Sequence, residues 1–461
     1  MASRQRPHEP TGTGAHRLPV GWCDMQSDTL KAPGELIDAD PEGHALTVAK
    51  TGGGKSRGCS IPALLSCRGS MVVLDIKGEL YNVTQRRRRE LGQRVVRLDP
   101  WRVCGNGGDS FNPFDILSLP GLSLEDECLS MAENIQGRAS FSKDPFWDEC
   151  AKSLLAGLIA FAATENNAVY PRALSTLRAL FTDTRFEQLL AQALDGGNIQ
   201  SELARAEFVA FLSHADNSTR PSVKSTAQSL VRQFATPDVC AATDNSSFAL
   251  RDFIDGEPMT IYLVVPIDKV HSHGAVLRLW LNALMRALTH RSHPPPERTV
   301  FLIDEAGSVG HLESLSNATV FMRSYGVQVW TFWQSFSQIK QHYGADWRTI
   351  VDNAATLQVF SAANYAVAAE FAALLGEYSA DDILALPKDR ALVRRDPAEG
   401  VLDVRRVDYI NDPIFRGQFD PNPFHRTAIE TPPSQDALPD NVLPFRLTPE
   451  RDEPTPEPEP V

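Results

Sequence analysis

No run of apolar residues in this chain approaches the roughly 20 that a helix needs to cross a bilayer. The longest, Ser153 to Thr164 (SLLAGLIAFAAT), is closed off by Lys152 and Glu165, so no membrane-spanning helix is expected. The amino terminus, MASRQRPHEPTGTG, carries two arginines with no apolar stretch behind them. No secretory leader is predicted, and the chain is expected to stay in the cytosol. Cysteine is scarce. Cys23, Cys59, Cys67, Cys104, Cys128, Cys150 and Cys240 are scattered, odd in number and without a CxxC pair, which argues against a disulfide framework or a thiolate zinc site and leaves buried or idle thiols. Positive charge is in deficit, with 45 Lys and Arg against 58 Asp and Glu and a net charge of −13. That balance disfavours a surface that coats duplex DNA by counterion release, while leaving room for a local basic lining.

What is present is enough apolar residue, 42% of 461 positions, to pack two or three domains. Residues 1–35 are polar and rich in Gly, Pro and His, and read as a flexible lead-in. Residues 426–461 are rich in Pro and acidic residues and end in PTPEPEPV, a composition expected to stay disordered. Between these ends, short Val/Ile/Leu runs bounded by turn residues predict buried strands: HALTV (44–48), SMVVLD (70–75), RVVRL (94–98), TIYLVV (260–265), TVFLI (299–303), QVWTF (328–332) and LQVF (357–360). Continuous apolar strands of this kind suit a parallel sheet covered on both faces. From 121 to 236 the strands stop and helical spacing takes over, as in FWDECAKSLLAGLIAFAA. The expected organisation is one α/β domain, 36–120 and 237–425, split by an all-α insertion.

One loop carries chemistry. HALTV runs directly into Ala49-Lys50-Thr51-Gly52-Gly53-Gly54-Lys55-Ser56-Arg57, which follows the phosphate-loop pattern G-x-x-x-x-G-K-[ST] except that Ala49 replaces the first glycine. In such a loop Thr51 to Arg57 surround the phosphates: glycines let backbone N–H groups curl inward, Lys55 reaches the β and γ oxygens, and the Ser56 hydroxyl turns to Mg²⁺. The plain alternative is a Gly-rich turn with a surface lysine. A second buried strand ends in Asp304 and Glu305 within RTVFLIDEAGSVG; Asp304 is the expected metal partner and Glu305 the residue that polarises the attacking water. Their alternative is to cap the helix that follows. The chain between Lys55 and Asp304 is far longer than the few βα units of about 30 residues that a plain doubly wound domain needs, and the helical block fills the gap.

TGGGKSRG, the helix IPALLSC and the strand-turn GSMVVLDIKGELYNVT together resemble the TraG/TraD-type coupling proteins of type IV secretion and conjugation. FNPFDIL (111–117) is similar to the step into that family's all-α domain and DPFWDECAKSLLAGL to its Phe-Trp helix. FLIDEAGSVG is similar to its second nucleotide motif, YGVQVWTFWQSFSQIKQHYG to its third, and YINDPIF to its closing strand. The matches run in order over residues 40 to 416. The resemblance implies a RecA-like P-loop NTPase with a parallel central sheet interrupted by an all-α domain. It implies ATP and Mg²⁺ as cofactors and a homo-hexamer, with a monomer in isolation as the alternative. It also implies delivery of DNA, as a relaxase-linked single strand, or of effector proteins to the components of a secretion channel. Gln334 then takes the sensor position, where an amide at the end of a central strand can orient the lytic water; its alternative is a cap for Ser335–Tyr343. Arg323 takes the position of an arginine finger supplied across a subunit boundary, against a solvated arginine at a helix end.

The family usually begins with membrane helices, and this sequence shows none, so recruitment to the inner face of the bacterial membrane is expected to need another protein. Lys77 in DIKGE receives no role. Arg86–Arg89 could touch phosphate backbones but reads first as a solvated run, and Phe146 and Trp147 read as core rather than as a base-stacking platform. His271, His273, His290 and His293 lack partners at metal spacing. Two other functions fit less well: a soluble FtsK/HerA-like pump for duplex DNA, and a nucleotide-dependent substrate adaptor with little hydrolysis.

Overall fold

Short β-branched runs bounded by Gly, Pro and Asp form the strands of a single sheet in the computed structural model, which describes residues 17–23, 34–137, 145–165, 170–197, 199–215, 218–395 and 400–425. The described strands are β1 (Pro19–Cys23), β2 (Glu35–Asp38), β3 (His44–Val48), β4 (Met71–Asp75), β5 (Arg94–Leu98), β6 (Met259–Val264), β7 (Thr299–Ile303), β8 (Val327–Trp333), β9 (Ala354–Val359), β10 (Arg390–Arg394) and β11 (Val401–Arg405). Their spatial order is β2-β1-β11-β10-β9-β3-β8-β7-β4-β6-β5. From β9 to β5 all neighbours run parallel, while β10, β11, β1 and β2 extend the sheet as antiparallel strands. Side chains of β4 show the two-sided burial. Val72 and Leu74 enter one core with the helical block, and Met71 and Val73 enter the other, as alternation along a strand requires.

The described helices begin with α1 (Ile61–Ser66) and α2 (Glu79–Glu90). Between β5 and β6 come α3 (Leu124–Gln136), α4 (Pro145–Glu165), α5 (Leu174–Thr182), α6 (Phe186–Asp195), α7 (Glu202–Ser213), α8 (Thr219–Val231), α9 (Pro237–Thr243) and α10 (Leu250–Asp255). Helix therefore continues past residue 236 to Asp255. After β6 follow α11 (Ile267–Val270), α12 (Gly274–Leu288), α13 (Ala306–Val309), α14 (Glu313–Phe321) and α15 (Phe336–Tyr343). Asn112 ties the helical block to its root. Its side chain accepts from the Phe114 amide at 3.0 Å and donates to the carbonyls of Arg172 at 2.8 Å and Asp244 at 3.1 Å, while Phe111 and Phe114 are fully buried beside it. The described residues up to 421 belong to one compact unit. Residues 422–425 belong to a second, in which the His425 amide bonds the Asn422 carbonyl; the tail 426–461 lies outside the described residues, as do 1–16 and 24–33 of the lead-in.

Several expectations are corrected. The lead-in 1–35 contains a strand: β1 pairs with β11 and β2, Leu18 and Val20 are buried, and Gln358 donates to the Val20 carbonyl at 2.7 Å. The central strands are parallel as expected, and β10, β11, β1 and β2 add an antiparallel edge. YINDPIF is no strand; Pro413–Phe415 is a 3-10 turn that follows Asp412, and the closing strand is β11. The Arg86–Arg89 run, expected to be solvated, lies within α2 and is solvated only in part. Arg88 is fully buried, and Arg86 pairs with Glu90 and, at 2.7 Å, with Asp420, so little of the run remains for nucleic acid. The core reading of the aromatics holds for Trp147, packed against the main core, but Phe146 is 47% exposed. Burial pushes the Cys59, Cys104 and Cys128 thiols up to about 12, which leaves them unreactive.

His44 opens β3 as a neutral ring, since its Nδ1 accepts the Val329 amide at 3.0 Å. Burial first, then Arg323 and Arg298 nearby, lower its pKa from 6.5 to about 4. The unfolded chain therefore takes up this proton before the folded one does. The contribution is intact above the unfolded value and is lost as pH falls from 6.5 to about 4, worth about 3 kcal/mol in full. Urea unfolding should show wild type losing more stability between pH 7 and pH 4 than His44→Gln does; parallel pH profiles would contradict it.

Candidate nucleotide site

The carboxyl ends of β3, β8, β7 and β4 lie side by side, and each delivers one part of the site. After β3 the chain turns with Gly52 at φ 71° and Gly54 at φ 81°, conformations open to glycine and strained for other residues. A Cβ on Gly53 would sit 2.8 Å from the Lys50 carbonyl, so this glycine is required by the tightness of the loop. Ala49 keeps an ordinary backbone and bonds the Trp333 carbonyl at 3.0 Å, which is why the missing first glycine does not disturb the turn. The chain then enters a π-type turn, Ser56–Ser60, that continues into α1. Lys55 is 8% exposed and its Nζ donates back to the Ala49 carbonyl at 3.0 Å, holding the ammonium inside the loop.

From the end of β7, Asp304 faces the loop. Its Oδ2 accepts from the Ser56 hydroxyl at 3.3 Å and its Oδ1 from the Ser60 hydroxyl. Burial raises the Asp304 pKa to about 6, against the pull of the Ser60 hydrogen bond and of Lys55. A buried carboxylate short of positive charge, beside a serine hydroxyl, is a hard-oxygen donor set that fits Mg²⁺. Glu305 does not cap α13. Its Oε1 instead accepts from Gln334 Nε2 at 2.6 Å, and Gln334, at the end of β8, correspondingly does not cap α15. Its own amide is held by Gln338 Oε1 at 2.9 Å. Asp75, at the end of β4, is raised to about 7 by burial, with the Tyr81 and Lys77 amides opposing and Asp304 reinforcing. Lys77 is exposed.

Thr51 to Ser56, Asp304, Glu305 and Gln334 are thus brought together. The Arg57 guanidinium is taken by a two-pronged pair with Asp408 at 2.7 and 2.6 Å. Arg323 is not part of the cluster. It lies in the 3-10 turn Met322–Tyr325 that enters the amino end of β8, the end opposite the phosphate loop. Sequence reasoning missed Arg406. Its Nη2 donates to the Gly54 carbonyl at 3.0 Å and its Nη1 to the Lys388 carbonyl at 2.8 Å, and its guanidinium lies 3.9 Å over the Phe360 ring. With Asp408, Arg406 straps the residues after β11 onto the loop. The only signal was its position just ahead of YINDPIF, a segment expected to be a strand.

Residues 19–383 match the family model described as Type IV secretory system conjugative DNA transfer. The conjugal transfer protein TraG of Escherichia coli is 28% identical over 370 residues, 73% of this chain and 54% of that protein. TraG of Agrobacterium fabrum is 26% identical over 307 residues, 65% of this chain and 45% of that one. The chain spans about half the length of these curated relatives. Among solved structures, the plasmid coupling protein TrwB in complex with ADP and Mg²⁺ superposes with a TM-score of 0.63 at 17% identity, covering 87% of this chain and 97% of that one. Identity that low speaks for the fold, which is the RecA-like P-loop fold expected from the sequence.

Proposed function

The chain belongs to the type IV secretory system conjugative DNA transfer family, and from that premise we propose that it is an ATP-hydrolysing coupling protein. It recruits a relaxase-linked DNA strand or effector proteins to the components of a secretion channel, working as a homo-hexamer at the inner face of the cell membrane. Among the described residues no helix is long and apolar enough to cross a membrane.

The observation that carries the hydrolytic part is the Glu305–Gln334 bond of 2.6 Å beside the Ser56–Asp304 pair. Lys55 and the amides of Thr51 to Ser56 hold the triphosphate, and the loop glycines let those amides approach it. Ser56 and Asp304 hold Mg²⁺, which when bound offsets phosphate charge. Glu305 receives the proton of the attacking water, and Gln334 keeps that carboxylate and the water aligned. Arg323 of a neighbouring subunit faces the transferring phosphoryl group, in keeping with its position at the opposite end of its own strand from the loop. TrwB in complex with ADP and Mg²⁺ supports the choice of nucleotide and cation.

ATP turnover by the purified chain, measured alone and with single- or double-stranded DNA, tests the reading. Several-fold acceleration by the single strand is expected. Tight ATP binding with no turnover under any of these conditions would leave an adaptor instead.

A further inference from the structure

Two glycines at the phosphate loop are crowded from behind by the residues that follow β11. A Cβ on Gly54 would meet Arg406 Nη2 at 2.5 Å, and one on Gly58 would meet the Val407 carbonyl at 3.1 Å. The Gly54 carbonyl accepts twice, from the Gly58 amide at 2.9 Å and from Arg406 Nη2 at 3.0 Å. A trans peptide is planar, with its C=O and N–H pointing to opposite sides. Holding the Gly54 oxygen back on Arg406 therefore turns the Lys55 amide hydrogen away from Arg406, and that amide is one of those assigned to the triphosphate.

Arg406 is held for this task by neutral partners. Its Nη1 donates to the Lys388 carbonyl at 2.8 Å, its guanidinium lies 3.9 Å over the Phe360 ring, and its Nε is buried without a hydrogen-bond partner. Asp408, two residues on, is committed to Arg57. Burial first, then Arg57, hold the Arg406 pKa below the ordinary arginine value against Asp408 and Asp389. The same segment is anchored to the amino-terminal strand. Asp412 accepts from Trp22 Nε1 at 2.7 Å, from the Asp408 amide at 2.9 Å and from Arg405 Nη1 at 3.1 Å, and the Arg405 guanidinium lies 5.5 Å over the Trp22 ring. β1, the end of β11 and the residues up to Asp412 are thus one hydrogen-bonded body, and Arg406 and Asp408 are its polar contacts with the loop.

We infer that Arg406 is a positioning residue for nucleotide binding: it fixes the Gly54–Lys55 peptide from behind, and through it the β1–β11 edge of the sheet sets the affinity of the phosphate loop. The inference rests on the nucleotide reading above and gives that site a determinant outside the loop. By linkage the influence is mutual, so a bound nucleotide tightens the edge as the edge tightens the loop.

Calorimetric ATP affinity and steady-state turnover of the full chain test it, with urea unfolding in the absence of nucleotide as the check on folding. Arg406→Met keeps the length of the side chain and its cover over Phe360 but removes every donor. It should raise both the Kd and the KM for ATP about tenfold, the value of one hydrogen bond from a charged donor, and leave kcat within about threefold. Arg406→Lys, which can still donate once, should cost about threefold in Kd. If Arg406→Met does not fold, the lysine variant carries the test, and a Kd equal to wild type in whichever variant folds would overturn the inference. Trp22→Phe removes the bond to Asp412 far from any nucleotide; it should raise the ATP Kd about threefold in the wild-type background and add nothing to Arg406→Met. Additive losses would cut the edge strands out of the route and overturn the inference, as would a deficit confined to kcat. In each of these cases wild type still binds ATP and the nucleotide reading stands, whereas failure of wild type to bind ATP would sink that reading and the inference together.

Discussion

Glu305→Gln binds ATP with near wild-type affinity and turns it over on the order of 10²- to 10⁴-fold more slowly, the range lost when a positioned general base is removed. The substitution keeps the size of the side chain and leaves Lys55, Ser56 and Asp304 untouched, so the groups that hold the triphosphate remain. What goes is a carboxylate able to take the water's proton. Gln334, whose Nε2 lies 2.6 Å from Glu305 Oε1, then faces an amide of either orientation, and the alignment of the pair is lost too. The two side chains act as one unit, so adding Gln334→Ala to Glu305→Gln should slow turnover far less than Gln334→Ala does alone. Lys55→Ala separates binding from chemistry: its deficit appears in calorimetric ATP affinity, that of Glu305→Gln in steady-state turnover. Wild-type turnover in Glu305→Gln would remove Glu305 from the reaction.

What the sequence disclosed of this site is what sequence keeps local. The loop from Ala49 to Ser56 is contiguous, Gly52 and Gly54 are demanded by φ values within the turn itself, and the strand feeding it, HALTV, is short and buried along its whole length. Asp304 and Glu305 were legible for the same reason, each at the end of a strand buried on both faces. The pieces that stayed hidden are joined only through the fold. β1 has five residues inside a polar, Pro-rich lead-in, and it is a strand because β11 and β2 lie on either side of it. Trp22 then reaches Asp412 at 2.7 Å, nearly the length of the chain away. Arg406 and Asp408 meet the phosphate loop because β11 ends beside it, which no spacing encodes. That Arg323 precedes β8 follows from chain order alone, but the edge of the sheet it occupies is fixed by the parallel direction of that strand.

Arg88→Met is expected to destabilise the chain by about 3–5 kcal/mol, the net cost of several buried acceptors left without a donor. Arg88 is fully buried, and burial holds its pKa below the ordinary arginine value, so the guanidinium sits there at a desolvation cost that methionine would remove. The partners decide the sign. The guanidinium donates to the carbonyls of Leu64, Cys67 and Gly69 and to the Thr260 hydroxyl, and methionine leaves these buried acceptors empty at about 1–3 kcal/mol each. Two of them, Leu64 and Cys67, belong to the carboxyl end of α1, where a cation also complements the helix dipole. Arg88→Lys should fail nearly as badly, because one ammonium cannot span acceptors that a planar fork reaches together. Since α1 starts at the phosphate loop, the defect should couple to ligand: ATP at 100 times its Kd returns about 2.7 kcal/mol by mass action, enough for partial recovery. Urea unfolding with and without ATP measures both quantities, and an Arg88→Met midpoint equal to wild type without nucleotide would show that these carbonyls find other donors.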